Sequence, residues 1–120
     1  MQKEYALVTG AGRGLGKCYS EELAKRGMNI ILVGLHLGEL EEVAIELKTK
    51  FEIETVQIQC DLSNKDEIVK MAKEVNSKYA VSTLINNAGL GGSMKYIDAD
   101  VDYINQIIQV NVMGTALVTH

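Results

Sequence analysis

The residues best suited to chemistry lie between Thr9 and Gly16, in the run TGAGRGLG. Gly10, Gly12, Gly14 and Gly16 let the backbone take positive φ and leave no Cβ between the main chain and whatever rests on it. Before them, Tyr5 to Val8 is apolar without polar alternation, the pattern of a strand buried on both faces. After them, Leu15, Tyr19 and Leu23 recur at helical spacing and mark the apolar stripe of a helix that begins at the last glycines. The unpaired N–H groups and positive dipole end of such a helix hold phosphate well. A glycine turn that merely packs a helix closely on a strand is the alternative.

Two common phosphate motifs are excluded. In G-x-G-x-x-G the third glycine would fall on Leu15, counting from Gly10, or on Lys17, counting from Gly12. The P-loop pattern fails at Ala11, where its first glycine belongs, and at Cys18, where it needs Ser or Thr, which disfavours magnesium-dependent phosphoryl transfer.

The elements that must position this turn alternate along the chain. The first helix is expected to run to about Arg26, with Gly27 as its left-handed cap. A second apolar strand follows at Asn29 to Val33, then a helix with Leu40, Val43, Ala44, Leu47 and Phe51 on one face. Thr55 to Gln59 reads as a third strand, more alternating and therefore nearer an edge. Ser63 or Asn64 can cap a helix with the stripe Ile68, Met71, Ala72 and Val75, and Val81 to Ile85 forms a fourth strand. Ile104, Ile107, Ile108, Asn111 and Val112 mark a long helix near the end of the sequence. The fold class is therefore α/β: a Rossmann-like, doubly wound parallel sheet of four strands, as one domain over residues 1–120.

In an open parallel sheet the ligand lies beyond the carboxyl ends of the strands. That rule selects the glycine turn, Gly34 to His36, Asp61, and Asn86 to Gly89. The second strand ends in Val33-Gly34-Leu35-His36, without the Asp or Glu that pairs with a 2′-hydroxyl in NAD sites. Arg13 is a cation able to reach a 2′-phosphate, with His36 assisting, so NADP is expected over NAD. A solvated surface arginine is the other account of Arg13, and a histidine on a surface loop is the reading favoured for His36. Asn111 shares a stripe with isoleucines, where an unsatisfied amide costs about 1–3 kcal/mol. A structural asparagine bonded to nearby backbone fits that position equally well.

The T-G-x-x-x-G-x-G pattern, Asp61-Leu62, NNAG at Asn86 to Gly89 and VNVMGT at Val110 to Thr115 together resemble the short-chain dehydrogenase/reductase family along the whole sequence. The resemblance implies that Gly10, Gly12, Arg13, Gly14, Leu15 and Gly16 bind the cofactor, that Asp61 contacts the adenine amino group, and that Leu62 borders the adenine. It further implies that Asn87, Ala88 and Gly89 pass beneath the cofactor beside Val110, and that Asn111 is the asparagine of the catalytic tetrad. The run from Gly16 to Gly34 is most similar to members that reduce 3-oxoacyl thioesters or 17-ketosteroids.

The family also uses a tyrosine four residues before a lysine. Four residues after Tyr5, Tyr19, Tyr79, Tyr96 and Tyr103 stand Thr9, Leu23, Thr83, Asp100 and Ile107, none of them lysine. The expectation is the amino-terminal half of a reductase acting on a small carbonyl or alcohol substrate, inactive by itself, with homo-oligomerisation through the helix that begins near Asp100. A non-catalytic nucleotide-binding or interaction module is the alternative.

Composition narrows the classes further. Net charge is −4 and no basic patch marks a nucleic-acid partner. No apolar run reaches membrane-spanning length. Cys18 and Cys60 lack metal or redox spacing, so free thiols, no metal site and a cytoplasmic location are expected.

Overall fold

The computed structural model describes residues 4–12, 14–62 and 64–85. Its elements are β1 (Tyr5–Thr9), α1 (Gly14–Lys25), β2 (Asn29–Gly34), α2 (Leu37–Lys50), β3 (Thr55–Gln59), α3 (Lys65–Lys78) and β4 (Val81–Ile85). All strand pairings are parallel, in the order β3-β2-β1-β4. The chain steps outward from β1 through β2 to β3, then returns to the other side of β1. Strand order reverses there, so the turn after β1 lies at the switch point where open α/β sheets take ligands. The edge position expected for β3 is the one observed.

Strand alternation divides the core in two. Ala6 and Val8 of β1 and Ile30 and Leu32 of β2 face a cluster built with Ala24 of α1 and Leu40, Val43, Ala44 and Leu47 of α2. Leu7, Ile31 and Val33 face the opposite way, onto Ile68, Met71 and Val75 of α3. Burial on both faces is why β1 and β2 read as continuous apolar runs.

The helix ends follow local chemistry. Gly27 takes φ 90° after α1. Its N–H donates to the Ala24 carbonyl at 2.9 Å, and the Met28 N–H donates to the Leu23 carbonyl at 3.2 Å. This pair of bonds is the Schellman motif, and it satisfies carbonyls that the helix leaves open. Asn64 caps α3, its side chain accepting from the N–H groups of Asp66 and Glu67.

One expectation is corrected. Leu15 and Tyr19 do not form the inward stripe of α1; they are 54% and 42% exposed, while Gly16, Ser20 and Ala24 are buried. The stripe is turned by one residue because small side chains let α1 approach the sheet closely. Ser20 Oγ is satisfied within the helix, donating to the Gly16 carbonyl at 2.8 Å.

Candidate functional site

The glycine turn takes its shape from two positive φ values, 63° at Gly10 and 61° at Gly14. L-residues with side chains adopt this left-handed region only at a cost, so glycine is required at both positions. Between them the Ala11 N–H donates to the Val33 carbonyl at 3.2 Å, fastening the turn to the end of β2. Gly14 opens α1, and a Cβ built on it meets nothing within 4 Å. The start of the helix is open on that side.

Gly12 is small for a different reason. A Cβ there would lie 3.1 Å from Glu39 Cβ and 3.5 Å from Glu39 Oε2. The first turn of α2 therefore packs directly onto the glycine turn. Gly34 repeats the arrangement, since its Cβ would lie 3.1 Å from Leu40 Cδ2.

These contacts frame a cleft of about 200 Å³ lined by Gly10, Gly12, Gly34, Leu35, His36, Glu39 and Leu40. A drug-sized ligand generally fills about 300–1,000 Å³, so this cleft takes one part of an extended molecule, such as a sugar. Glu39 was not among the residues singled out from the sequence. The last residues of β2 carry no acid, and Glu39 reaches the cleft from the first turn of the next helix.

The turn after β3 is held to the same sheet edge. The Cys60 N–H donates to the Gly34 carbonyl at 2.9 Å, and Gln59 Nε2 donates to the Leu35 carbonyl at 2.9 Å. Asp61 follows, its N–H donating to Glu67 Oε1 at 3.3 Å and its carbonyl accepting from the Asn64 N–H at 3.0 Å. Leu62 turns inward, 9% exposed, and joins the core on the α3 side. Neither residue lines the cleft. Burial, with the nearby carboxylates of Glu67 and Asp61, pushes the Cys60 thiol up from 9.0 to about 11, so it stays protonated and unreactive at neutral pH.

The structure thus brings Gly10, Gly12 and His36 to one cleft, sets Gly14, Leu15 and Gly16 at the start of α1 beside it, and puts Asp61 and Leu62 after the neighbouring strand. Arg13, Asn87, Ala88, Gly89, Val110 and Asn111 lie outside the described residues. Among the described residues no group of His, Cys, Asp or Glu is arranged to hold a metal ion, and no helix is long and apolar enough to cross a membrane.

The arrangement of glycine turn, open helix start and switch point has its counterpart in known proteins, since residues 4–120 match the family model described as short chain dehydrogenase. This chain belongs to the short-chain dehydrogenase family. It is 39% identical over 122 residues to the very-long-chain 3-oxoacyl-CoA reductase of Rattus norvegicus, covering 97% of this chain and 38% of that protein. The chain therefore spans little more than a third of the length of that relative. Among solved structures, NAD+-bound xylitol dehydrogenase superposes with a TM-score of 0.85 at 20% identity, over 95% of this chain and 50% of that one. A short-chain dehydrogenase from Sphingobium yanoikuyae in complex with NADPH gives 0.74 at 24% identity, over 91% of this chain and 46% of that one. At such identities these two likenesses establish the fold, a parallel Rossmann-like sheet.

Proposed function

We propose that the chain is the cofactor-binding, amino-terminal part of an NAD(P)-dependent short-chain oxidoreductase. The observation that carries this reading is the glycine turn at the switch point, with left-handed glycines at Gly10 and Gly14, opening on a cleft that extends to the end of β2. Main-chain N–H groups at the start of α1 would hold the diphosphate, and the cleft between Gly12, His36 and Glu39 would take the adenosine ribose. Asp61 would meet the adenine. Arg13, Asn87, Ala88, Gly89 and Val110 complete the cofactor set, and Asn111 is assigned to catalysis. The cofactor, NADP or NAD, supplies hydride exchange with a carbonyl or alcohol carbon.

The name of the rat relative supports a 3-oxoacyl thioester as the substrate class of the whole enzyme. A single domain, self-association through the segment after Asp100, and a cytoplasmic location belong to the same proposal. The last draws support from two free thiols, Cys18 exposed and Cys60 buried.

Titration of the chain with NADH and NADPH, followed by nicotinamide fluorescence, tests the reading. Saturable binding that ADP displaces is expected, without turnover of a ketone by these 120 residues. Gly14→Val should reduce affinity at least about tenfold, because it strains the left-handed residue at the start of the helix. Absence of saturable binding by the unaltered chain would refute the assignment.

A further inference from the structure

Strand β3 ends the sheet on one side, and among the described residues no strand pairs with its outer edge. The Ile30 N–H donates to the Glu54 carbonyl at 3.1 Å and the Cys60 N–H donates to the Gly34 carbonyl at 2.9 Å, so the even-numbered residues turn their peptide groups to β2. Alternation along the strand then points the N–H and C=O groups of Thr55, Gln57 and Gln59 outward. Edges of this kind are commonly guarded by lysine, proline or a bulge. The run TVQIQ carries neither residue, and its register with β2 is uninterrupted.

We propose that this edge pairs with the same edge of a second copy, antiparallel about a two-fold axis at Gln57. That register makes the strand complementary to itself. Gln57 meets its own counterpart and Thr55 meets Gln59, so the outward peptide groups exchange hydrogen bonds across the axis. Val56 meets Ile58 on the face they share with α3, where both are only partly buried in a single copy. Just beyond the strand, Glu54 falls opposite Cys60 and Ile53 opposite Asp61, so carboxylates do not oppose each other.

Helix α2 extends the match. Its α1 side is marked by Glu39 against Gly12, Glu46 on Lys17 and Lys50 on Glu21. The flank turned away from α1, toward the β3 edge, carries Glu41, Ile45 and Lys48, with Ile45 65% exposed. Leu40 lies against Gly34, whose partner in β3 is Gln59. From Gln59 back to Gln57 is about 6.6 Å along the strand, or about four residues along the helix, which sets the axis beside Ala44 and Ile45. Glu41 of each copy then stands opposite Lys48 of the other, and neither has an ion-pair partner among the described residues.

The inference is independent of cofactor binding and of association through the segment after Asp100, and its experiment separates them. Sedimentation equilibrium gives the dimer dissociation constant for the unaltered chain, Glu41→Lys, Lys48→Glu and the two substitutions combined, and circular dichroism identifies any variant that has lost its fold. Either reversal alone sets like charges in both symmetric contacts and should raise the constant about tenfold, whereas the combination should restore it. In the unaltered chain, amide hydrogen exchange at Thr55, Gln57 and Gln59 should slow as protein concentration rises. A chain that stays monomeric, a dimer indifferent to both reversals, or amides that exchange equally fast at every concentration would each overturn the proposal.

Discussion

Two of the helices, α1 and α3, pack on opposite faces of the sheet by different means. On one side α1 turns Gly16, Ser20 and Ala24 inward, and its first turn begins directly after the glycine turn of the cleft. On the other, α3 presents Ile68, Met71, Ala72 and Val75 to Leu7, Ile31 and Val33, and the space is filled by branched and long side chains. The contrast separates two tasks. Small inward residues position the ligand-facing start of α1, whereas the large side chains of α3, like those of α2 beside α1, supply apolar burial, about 1.5–3 kcal/mol for each one removed from water.

The largest expected effect lies on the bulky face. Ile68→Ala should lower the stability of the chain by about 2–5 kcal/mol in urea unfolding, since Ile68 is fully buried and its removal leaves a cavity. A loss below about 1 kcal/mol would show that this face collapses freely and would erase the contrast.

Next comes the close-packed side. Ser20→Leu forces bulk between α1 and the sheet and should cost about 1–3 kcal/mol. Leu15→Ala, one helical turn earlier but exposed, should stay within about 0.5 kcal/mol of the parent. Equal effects at the two positions would return the inward stripe to Leu15 and Tyr19. Dinucleotide affinity sharpens the same comparison: Ser20→Leu should weaken it by displacing the helix start, and Ile68→Ala should not while the protein remains folded.

The smallest effect appears only in alkali. Because the Cys60 pKa is raised in the fold, the native state holds this proton more tightly than the unfolded chain. Its contribution to stability is complete below pH 9.0 and is lost as pH rises from there toward about 11. Urea midpoints across that range should fall less steeply for Cys60→Ala than for the parent. An identical slope would mean that the thiol beside Asp61 is no more shielded than a surface one.

The first two strands were legible because burial on two faces leaves an unambiguous mark, and the other two through their β-branched residues. Thr55–Gln59 and Val81–Ile85 have the limits that their β-branched runs predict. The cap at Gly27 was legible for a related reason: glycine after a basic helix end has few other uses. The inward face of α1 was not, since Leu15 and Tyr19 carry far more apolar surface than Gly16, Ser20 and Ala24, and a face of small residues leaves no such mark. Glu39 was missed because charge on an amphipathic helix reads as solvent-facing. Only the meeting of α2 with Gly12 reveals where it lies.

Two adjacent carbonyls at the end of β2 carry a consequence for how the site can move. Val33 receives the amide of Ala11 and Gly34 that of Cys60, so the loops after β1 and β3 hang from consecutive links of a single strand. They are yoked: a shift of that strand end carries both loops in the same sense. A guest spanning the two therefore meets one mechanical coordinate instead of two, and loses less freedom in settling than it would between independent loops.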